Sequence, residues 1–355
     1  MQVEVVRLQD LRNYRTVEFA PAPGTTVVVG GNGSGKSSLL EAIGMFSTLS
    51  SPRAGSLKVL VRQGCEEAGA RLETTGGASL EIHIRGGRAM LRTGGSTAQA
   101  KDFLGRFRSV LFTPEDLDLV RGEPALRRRA LDDLLVQLRP RFRSVRQDFE
   151  RALRQRNAAL RDKLPMEASL YGDPLAAAAA VVLQGRREVA ERLRPAAADL
   201  YKDLAERGEL DLVYRDTSGA GELTGPDLVA HFARIYKDTL YGDMDRGRTT
   251  VGPHRDDLDV GLDGREGRWY ASRGEQRSAT LAFRLAELRL LPDAVLLLDD
   301  VLSELDPDRR RRVFEVTAGS QTIVTATDAD ALPAAAKVES VWRAFEGSLA
   351  LEVAA

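Results

Sequence analysis

The chain has 355 residues, 43% hydrophobic and 29% charged, which is long enough for a principal domain and a subdomain. With 51 Lys and Arg against 52 Asp and Glu the formal net charge is -1, so any surface that binds nucleic acid must be a local patch. A single cysteine excludes an intramolecular disulfide, three histidines speak against a zinc site, and no run is apolar enough to span a bilayer, so we expect a soluble cytoplasmic protein.

The first third of the chain is predicted to form short strands around one helix. Three apolar runs separated by turn residues predict strands: VEVV, VEFA and TTVVV. SLLEAIGMF after Lys36 has helical spacing, and alternating segments such as RLETT and LEIHI predict an antiparallel meander through about Arg92. SVLFTP, from Ser109, predicts a buried strand that Pro114 ends.

A phosphate-binding loop is the strongest local signal. VVVGGNGSGKSS satisfies G-x-x-x-x-G-K-[ST] between an apolar strand and an amphipathic helix, a context that disfavours an incidental glycine-rich turn. Backbone amides are expected to wrap phosphate oxygens, Lys36 to meet the β- and γ-phosphates, and the Ser37 hydroxyl to ligate Mg²⁺. Arg53 is a further candidate for a phosphate contact. The predicted ligands in the loop are Gly30, Asn32, Gly33, Ser34, Gly35, Lys36, Ser37 and Ser38.

Residues 121–244 are predicted to form an inserted, mainly helical lobe. Apolar residues recur at helical spacing from Pro124 to about Asn157 and again from Leu175, with the break KLPMEASLYGDP between. Two long helices joined by such a loop predict a helical hairpin, and the lack of sustained heptads speaks against a long coiled coil. Strand-like pieces return around ELDLVY and after Gly252.

Arginines crowd the first helical region of this lobe. Interleaved acids such as Asp132 and Asp148 make a solvated, ion-paired helix face the default interpretation for any single arginine. Collectively the arginines are the best candidates for contacts to nucleic-acid phosphates, because backbone binding needs positive charge and no base-reading motif is present. The candidates are Arg127, Arg128, Arg129, Arg141 and Arg143.

The last third of the chain contains a helix that begins at SRGEQ and a strand that ends in two acids. Ser272 is a good N-cap and Gly274 permits close approach, so this helix start is either an ordinary capped end or a site for an anion. AVLLLDD places Asp299 and Asp300 at the C-terminal end of a buried strand, where open α/β sheets bind ligands. Asp299 is expected to hold Mg²⁺ and Asp300 to orient the attacking water, unless the pair merely caps a turn.

The order of these motifs resembles the ATP-binding-cassette ATPases. In that family the Ser-x-Gly signature helix of one subunit caps the γ-phosphate that the phosphate loop of another subunit holds. The resemblance makes Ser303 to Asp306 the D-loop and implies an α/β, P-loop ATPase head built from both chain ends, residues 1–120 and 245–355. The signature residues that it implies as ATP contacts are Ser272, Gly274, Glu275 and Gln276.

A finer resemblance is to the RecF family of bacterial recombination mediators, within the SMC-like ATPases. FTPEDLDLVRGEPALRRRALD, TTVGPHRDDL and LLLDDVLSELD carry it, and it covers nearly the whole chain. The resemblance implies that ATP drives dimerisation and that the dimer clamps duplex DNA near single-strand gaps. It implies recombinase loading together with RecR, with RecO as a further candidate partner, and a location at the nucleoid. It also implies a weak, DNA-stimulated ATPase activity that serves as a switch.

Three positions depart from the wider superfamily. Glu115 stands where a glutamine is usual, Asp300 where a glutamate is usual, and Ala326 or Thr327 where many members carry a histidine. Aspartate is one methylene shorter than glutamate, which implies slow hydrolysis. Two rival functions remain: an ATPase subunit that energises a membrane transporter, and a nuclease or helicase, for which neither a metal cluster nor a second motor domain is visible in the sequence.

Overall fold

The computed structural model describes residues 1–205, 208–328 and 332–354. The chain forms two compact units. The first comprises Met1–Val120, Ala196–Gly208 and Ser272–Ala355, and the second comprises Arg121–Pro195 and Glu209–Ala271. The second unit ends at residue 271, whereas the predicted helical lobe ends at residue 244. The predicted domain boundaries stay a prediction.

Strands and helices follow one another along the whole chain. The strands are β1 (Val3–Leu11), β2 (Tyr14–Phe19), β3 (Thr25–Val29), β4 (Glu67–Thr74), β5 (Ser79–Arg85), β6 (Arg88–Thr93), β7 (Ser96–Ala98), β8 (Ser109–Phe112), β9 (Leu210–Arg215), β10 (Asp257–Leu262), β11 (Arg265–Glu266), β12 (Val295–Asp299), β13 (Thr322–Ala326), β14 (Val338–Phe345) and β15 (Ser348–Ala354). The α-helices are α1 (Lys36–Thr48), α2 (Ala100–Phe103), α3 (Pro124–Leu138), α4 (Phe142–Arg161), α5 (Pro165–Leu170), α6 (Gly172–Ala205), α7 (Gly225–Asp238), α8 (Leu240–Arg246), α9 (Gly267–Tyr270), α10 (Arg273–Leu290) and α11 (Pro307–Val316).

A mostly parallel sheet in the first unit positions the predicted site. Its strand order is β15-β14-β3-β13-β12-β8, in which all neighbours are parallel except the β14–β15 hairpin. Every residue of β3, β12 and β13 is buried, as expected for parallel strands covered on both faces. Because parallel strands end at the same edge, the loop after β3 and the acids at the end of β12 lie on one side of the sheet, with β13 between them.

The predicted meander is confirmed as part of an antiparallel sheet in the first unit. This sheet has the order β2-β1-β4-β5-β6-β7. Alternate residues of β4 and β5 are buried, the pattern of a sheet that packs one face on the core. The pairing of β6 with β7 carries the meander beyond Arg92, to Ala98.

The helices of the second unit differ from the prediction at one point. The predicted first long helix is two helices, because α3 ends at Leu138 and α4 begins at Phe142. Pro140 lies between them; proline has no amide hydrogen for a helix and moves the preceding residue out of helical geometry. Arg139 accordingly has φ -138° and ψ 85°. This unit also contains a three-stranded antiparallel sheet, β11-β10-β9, and none of the helices that the structure describes is long and apolar enough to cross a membrane.

Two buried arginines anchor the TTVGPHRDDL segment in the second unit. Arg156 is fully buried and donates to Asp243 at 2.8 Å and to the Thr249 hydroxyl at 2.6 Å. Arg186 binds both carboxylate oxygens of Asp132, at 2.7 and 2.8 Å, and also donates to the carbonyl oxygen of Pro253 at 2.6 Å. Breaking a buried pair of this kind typically costs about 3–5 kcal/mol, so the segment is a structural element of this unit.

His254, in the same segment, should make stability depend on pH. Burial lowers the pKa of His254 to about 4, whereas a histidine in the unfolded chain titrates near 6.5. Protonation therefore favours the unfolded chain, and the contribution of neutral His254 is present above about pH 6.5 and is lost as the pH falls toward 4.

Between pH 7 and pH 5 we expect His254 to reduce the free energy of unfolding by about 2 kcal/mol. Urea unfolding of the wild type, His254→Gln and a His83→Gln control, whose imidazole is half-exposed on β5, measures this effect. The His254 variant should lose about that much of the pH dependence and the control should keep it. Equal pH dependence in all three proteins would contradict the prediction.

Candidate nucleotide-binding site

The phosphate loop between β3 and α1 has a backbone that requires glycine. Gly33 and Gly35 have φ of 80° and 115°, in the region where other residues are strained. A Cβ atom on Gly35 would lie 2.5 Å from Asn13 Nδ2 and 2.8 Å from Tyr14 Oη. Position 35 is therefore restricted to glycine by its backbone angle and by its neighbours.

Lys36 lies inside this loop. Its Nζ donates to the carbonyl oxygen of Gly30 at 2.6 Å and to that of Gly31 at 3.0 Å, and the residue is 6% exposed. A buried ammonium group held by two neutral carbonyl groups has no counter-charge of its own among these contacts. A phosphate oxygen is the kind of ligand that would supply one.

The turn between β1 and β2 supports the loop from outside. Asn13 Nδ2 donates to the carbonyl oxygen of Ser34 at 3.1 Å, and the buried Tyr14 hydroxyl donates to that of Gly35 at 3.0 Å. These two bonds fix carbonyl groups on one side of the loop.

The two acids at the end of β12 have different surroundings. Asp299 is buried and accepts a hydrogen bond from the Thr325 hydroxyl at 3.0 Å. Burial raises the pKa of Asp299, while hydrogen bonds from Ser37 and Thr325 and the charge of Arg53 act to lower it. Asp300 is partly exposed, has φ 54°, and donates its amide hydrogen to Thr325 at 2.8 Å.

The predicted Mg²⁺ ligands are thus brought together. The Ser37 hydroxyl lies close enough to the Asp299 carboxylate to act to lower the pKa of that group. Both present oxygen atoms, which Mg²⁺ prefers, and Mg²⁺ commonly takes only one or two protein ligands besides phosphate and water. The donor set therefore fits the ion.

A pocket of about 480 Å³ opens at this edge of the sheet. The predicted residues that line it are Asn32, Gly33, Gly35, Lys36, Ser37, Ser38, Arg53 and Asp300. Gly30 and Ser34 do not line it, and their carbonyl oxygens accept hydrogen bonds from Lys36 and Asn13. The residues that the sequence analysis missed are Arg12, Asn13, Val59, Val61 and Gln63. The tight turn LRNY that carries the first two is visible in the sequence between two strand patterns, but its packing on the phosphate loop is not.

The start of α10 has the geometry of a capped helix end. Ser272 Oγ accepts the amide hydrogen of Glu275 at 3.3 Å, and the Glu275 carboxylate accepts that of Ser272 at 2.7 Å. This reciprocal pair is a capping box, and Ser272 is exposed. Gln276 is only 6% exposed, and its predicted contact with ATP stays a prediction.

The pocket and the start of α10 are separate within one chain. In the described part of the chain, no residue that lines the pocket comes from 272–276. The predicted D-loop segment contacts α10, since Arg277 donates to the carbonyl oxygen and to the carboxylate of Glu304, both at 2.7 Å. Arg309 extends this contact by donating to the Ser278 hydroxyl at 2.8 Å.

The structure places the candidate DNA-binding arginines in different environments. Arg127 is 4% exposed and binds both carboxylate oxygens of Asp257 at 2.8 Å, which favours a structural role over the predicted contact with DNA. Arg128 is partly buried and donates to the carbonyl oxygen of Asp256 at 2.7 Å, and Arg129 lies 3.5 Å from Asp133.

Arg141 is exposed and Arg143 is partly buried, with its pKa lowered by burial. The roles predicted for Arg128, Arg129, Arg141 and Arg143 stay predictions. Glu115 is exposed in the 3-10 helix Pro114–Asp118, and its neighbour Asp116 pairs with Arg284 of α10.

Comparisons with known proteins agree with this geometry. Residues 2–347 match the family model described as RecF/RecN/SMC N terminal domain. The chain is 40% identical over 357 residues to the DNA replication and repair protein RecF of Acidothermus cellulolyticus, with 94% of this chain and 96% of the relative covered. It is 39% identical over 379 residues to the RecF of Kineococcus radiotolerans, with 97% of each chain covered.

Solved structures give the same likeness at the level of the fold. The recombination mediator protein RecF with ATP, of the RecFOR pathway, has a TM-score of 0.88 at 24% identity, with 99% of this chain and 98% of the other covered. An Smc head bound to the C-winged helix domain of ScpA has a TM-score of 0.57 at 15% identity, covering 100% and 98%. The predicted head fold is confirmed by these likenesses.

Proposed function

The chain belongs to the RecF family of SMC-like ATPases, and from this membership we propose that it is an ATP-dependent DNA-binding protein of recombinational repair. The observation that carries the proposal is the pocket formed by the phosphate loop and Asp300, to which the start of α10 contributes no lining residue in the described chain. The pocket has a complete phosphate loop but no described residue from the signature helix. A second copy of the chain could supply that helix and so complete the site. The full-length likeness to DNA replication and repair proteins supports the assignment to repair.

In this proposal the pocket binds ATP with its phosphates on the loop. Lys36 exchanges the carbonyl oxygens of Gly30 and Gly31 for β- and γ-phosphate oxygens, which carry the charge that those carbonyl groups lack. Ser37 and Asp299 hold Mg²⁺, which when bound neutralises phosphate charge. Asp300 lines the pocket and orients the attacking water.

The second half of the site comes from a partner copy. The exposed amide end of α10, capped by Ser272, carries the positive end of a helix dipole and faces the γ-phosphate that the partner binds. ATP therefore joins two heads around DNA, and hydrolysis releases them. Because Asp300 is shorter than the glutamate usual in the superfamily, turnover is slow, which suits a switch that helps RecR and RecO load recombinase at gaps.

The binding of DNA should depend on Arg141 and Arg143 and not on Arg127. Removal of one arginine that binds a DNA phosphate should reduce the slope of log affinity against log salt by about 1, so Arg141→Gln with Arg143→Gln should reduce it by about 2. Arg127→Gln should leave the slope unchanged and lower the unfolding midpoint instead, because it breaks a buried pair.

Fluorescence anisotropy of labelled duplex across a salt series, with ATP present, measures these slopes. An Arg141 and Arg143 double variant with the wild-type slope would assign both arginines to a solvated helix face.

Sizing of the protein in solution tests the proposed function as a whole. We expect a monomer without nucleotide, a dimer with ATP, and a larger complex when gapped duplex DNA is added with ATP. Lys36→Met is the control that should remain monomeric throughout. A wild type that stays monomeric with ATP, or that binds gapped DNA equally well without it, would contradict the proposal.

A further inference from the structure

A buried carboxylate on the helix that follows the phosphate loop gathers three donors. Glu41 lies in α1 and is 2% exposed. Nε and Nη2 of Arg12 donate to its two oxygens, each at 2.8 Å, in a bidentate pair. The Ser51 hydroxyl donates to the same carboxylate. Glu41 therefore joins α1 to two other segments of the chain.

Ser51 connects Glu41 to the loop that carries Arg53. Its hydroxyl oxygen accepts the amide hydrogens of Arg53 at 3.1 Å and of Ala54 at 2.9 Å. Ser51 itself is 4% exposed. The hydroxyl thus donates toward Glu41 and accepts from the loop backbone, so the position of the loop depends on the carboxylate.

Both arginines connected in this way line the pocket. Arg12 has φ 56°, and its amide donates to the carbonyl oxygen of Leu60 at 2.7 Å, so its backbone is fixed. A third guanidinium nitrogen donates to the carbonyl oxygen of Val59 at 3.3 Å, which orients the plane of the group. Arg12 and Arg53 come from different segments, and Glu41 connects both of them to α1.

We infer that Glu41 is a positioning residue for ATP: it holds the guanidinium group of Arg12, and through Ser51 the backbone at Arg53, at fixed places relative to the phosphate loop. The phosphate loop ends where α1 begins, so a carboxylate on this helix fixes the Arg12 guanidinium group and the backbone from which the Arg53 side chain extends relative to Lys36. A bidentate carboxylate bond fixes the direction of a guanidinium group as well as its distance. The inference rests on the proposed binding of ATP.

The decisive variants are Glu41→Gln, Arg12→Ala and their combination. Glutamine keeps the shape of Glu41 but turns an NH₂ group toward an Arg12 donor, so the guanidinium group must leave its place. We expect Glu41→Gln and Arg12→Ala each to raise the Kd for MgATP about tenfold, and the double variant to bind no more than about twofold more weakly than Arg12→Ala, because interacting residues are not additive.

A matched control separates positioning from stability. Glu287 is also buried in the first unit, 4% exposed, and pairs with Arg284 at 2.9 Å, but it does not line the pocket. Glu287→Gln should lower the unfolding midpoint by a similar amount and leave the Kd for MgATP unchanged.

The inference is overturned if Glu41→Gln binds MgATP as the wild type does while its unfolding midpoint falls, or if the losses of Glu41→Gln and Arg12→Ala multiply in the double variant. Should Glu41→Gln fail to fold, Ser51→Ala serves in its place, since it releases the loop without removing a charge. We expect about a threefold higher Kd for it, and an unchanged Kd overturns the inference. Failure of the wild type itself to bind ATP would instead contradict the proposed function.

Discussion

Replacing Lys36 with methionine should lower the affinity for ATP by two to three decades. The side chain is buried inside the loop, where its ammonium group is within 3.0 Å of two carbonyl oxygens, so methionine can fill the space but cannot offset phosphate charge. Loss of such a charged partner costs about 3–4 kcal/mol, which is that number of decades at about 1.4 kcal/mol for each.

Titration of labelled ATP into both proteins measures the change in affinity. Lys101→Met is a suitable control, because it removes an equal charge from an exposed position on α2 and should leave the affinity unchanged. Wild-type affinity in Lys36→Met would refute the assignment of the phosphate loop.

Ser272→Arg should leave ATP binding by the monomer intact and abolish ATP-driven dimerisation and turnover. Ser272 lies outside the pocket of its own chain and is exposed, so the variant keeps the phosphate loop unaltered. A long charged side chain at the start of α10 would occupy the space through which the partner's γ-phosphate approaches. Loss of the N-cap alone costs only about 1 kcal/mol and does not by itself prevent folding.

Ser272→Ala is the matched control for this variant. It loses the same cap without adding bulk, so it should be equally destabilised and still dimerise in part. Light scattering with and without ATP measures dimerisation, and a coupled assay of phosphate release measures turnover. A Ser272→Arg protein that dimerises with ATP and hydrolyses it normally would contradict a role for the start of α10 in the partner's site, and would show that this is an ordinary capped helix end.

The parts of the site that could be predicted are those written in contiguous sequence. The phosphate loop and the acids at the end of β12 each follow a buried strand, and strand ends in a parallel sheet meet at one edge, so Lys36 and Asp299 could be placed together. Arg12 and Asn13 reach the pocket only because the turn that carries them packs on the loop, a contact between segments that no local pattern shows.

Other features could not be seen in the sequence for the same reason, because the residues in contact lie far apart along the chain. Arg127 has the spacing of a solvated helix face, but its partner Asp257 lies 130 positions away and buries it. The strand pairing of β9 with β10 likewise joins segments that a scan of neighbouring residues cannot connect. The break between α3 and α4 is different, since Pro140 is a local signal and could have been used.

Mixing Ser272→Arg with Lys36→Met tests the shared site most directly. Each variant alone should show almost no ATP turnover, because the first has an altered signature helix start and the second lacks the lysine of the phosphate loop. A mixed dimer combines the intact phosphate loop of one chain with the intact start of α10 of the other. It therefore contains one complete site where the wild-type dimer contains two, so the mixture should recover up to half of the wild-type turnover per chain. A mixture no faster than the sum of its two components, at concentrations where the wild type dimerises with ATP, would contradict a site built from two copies of the chain.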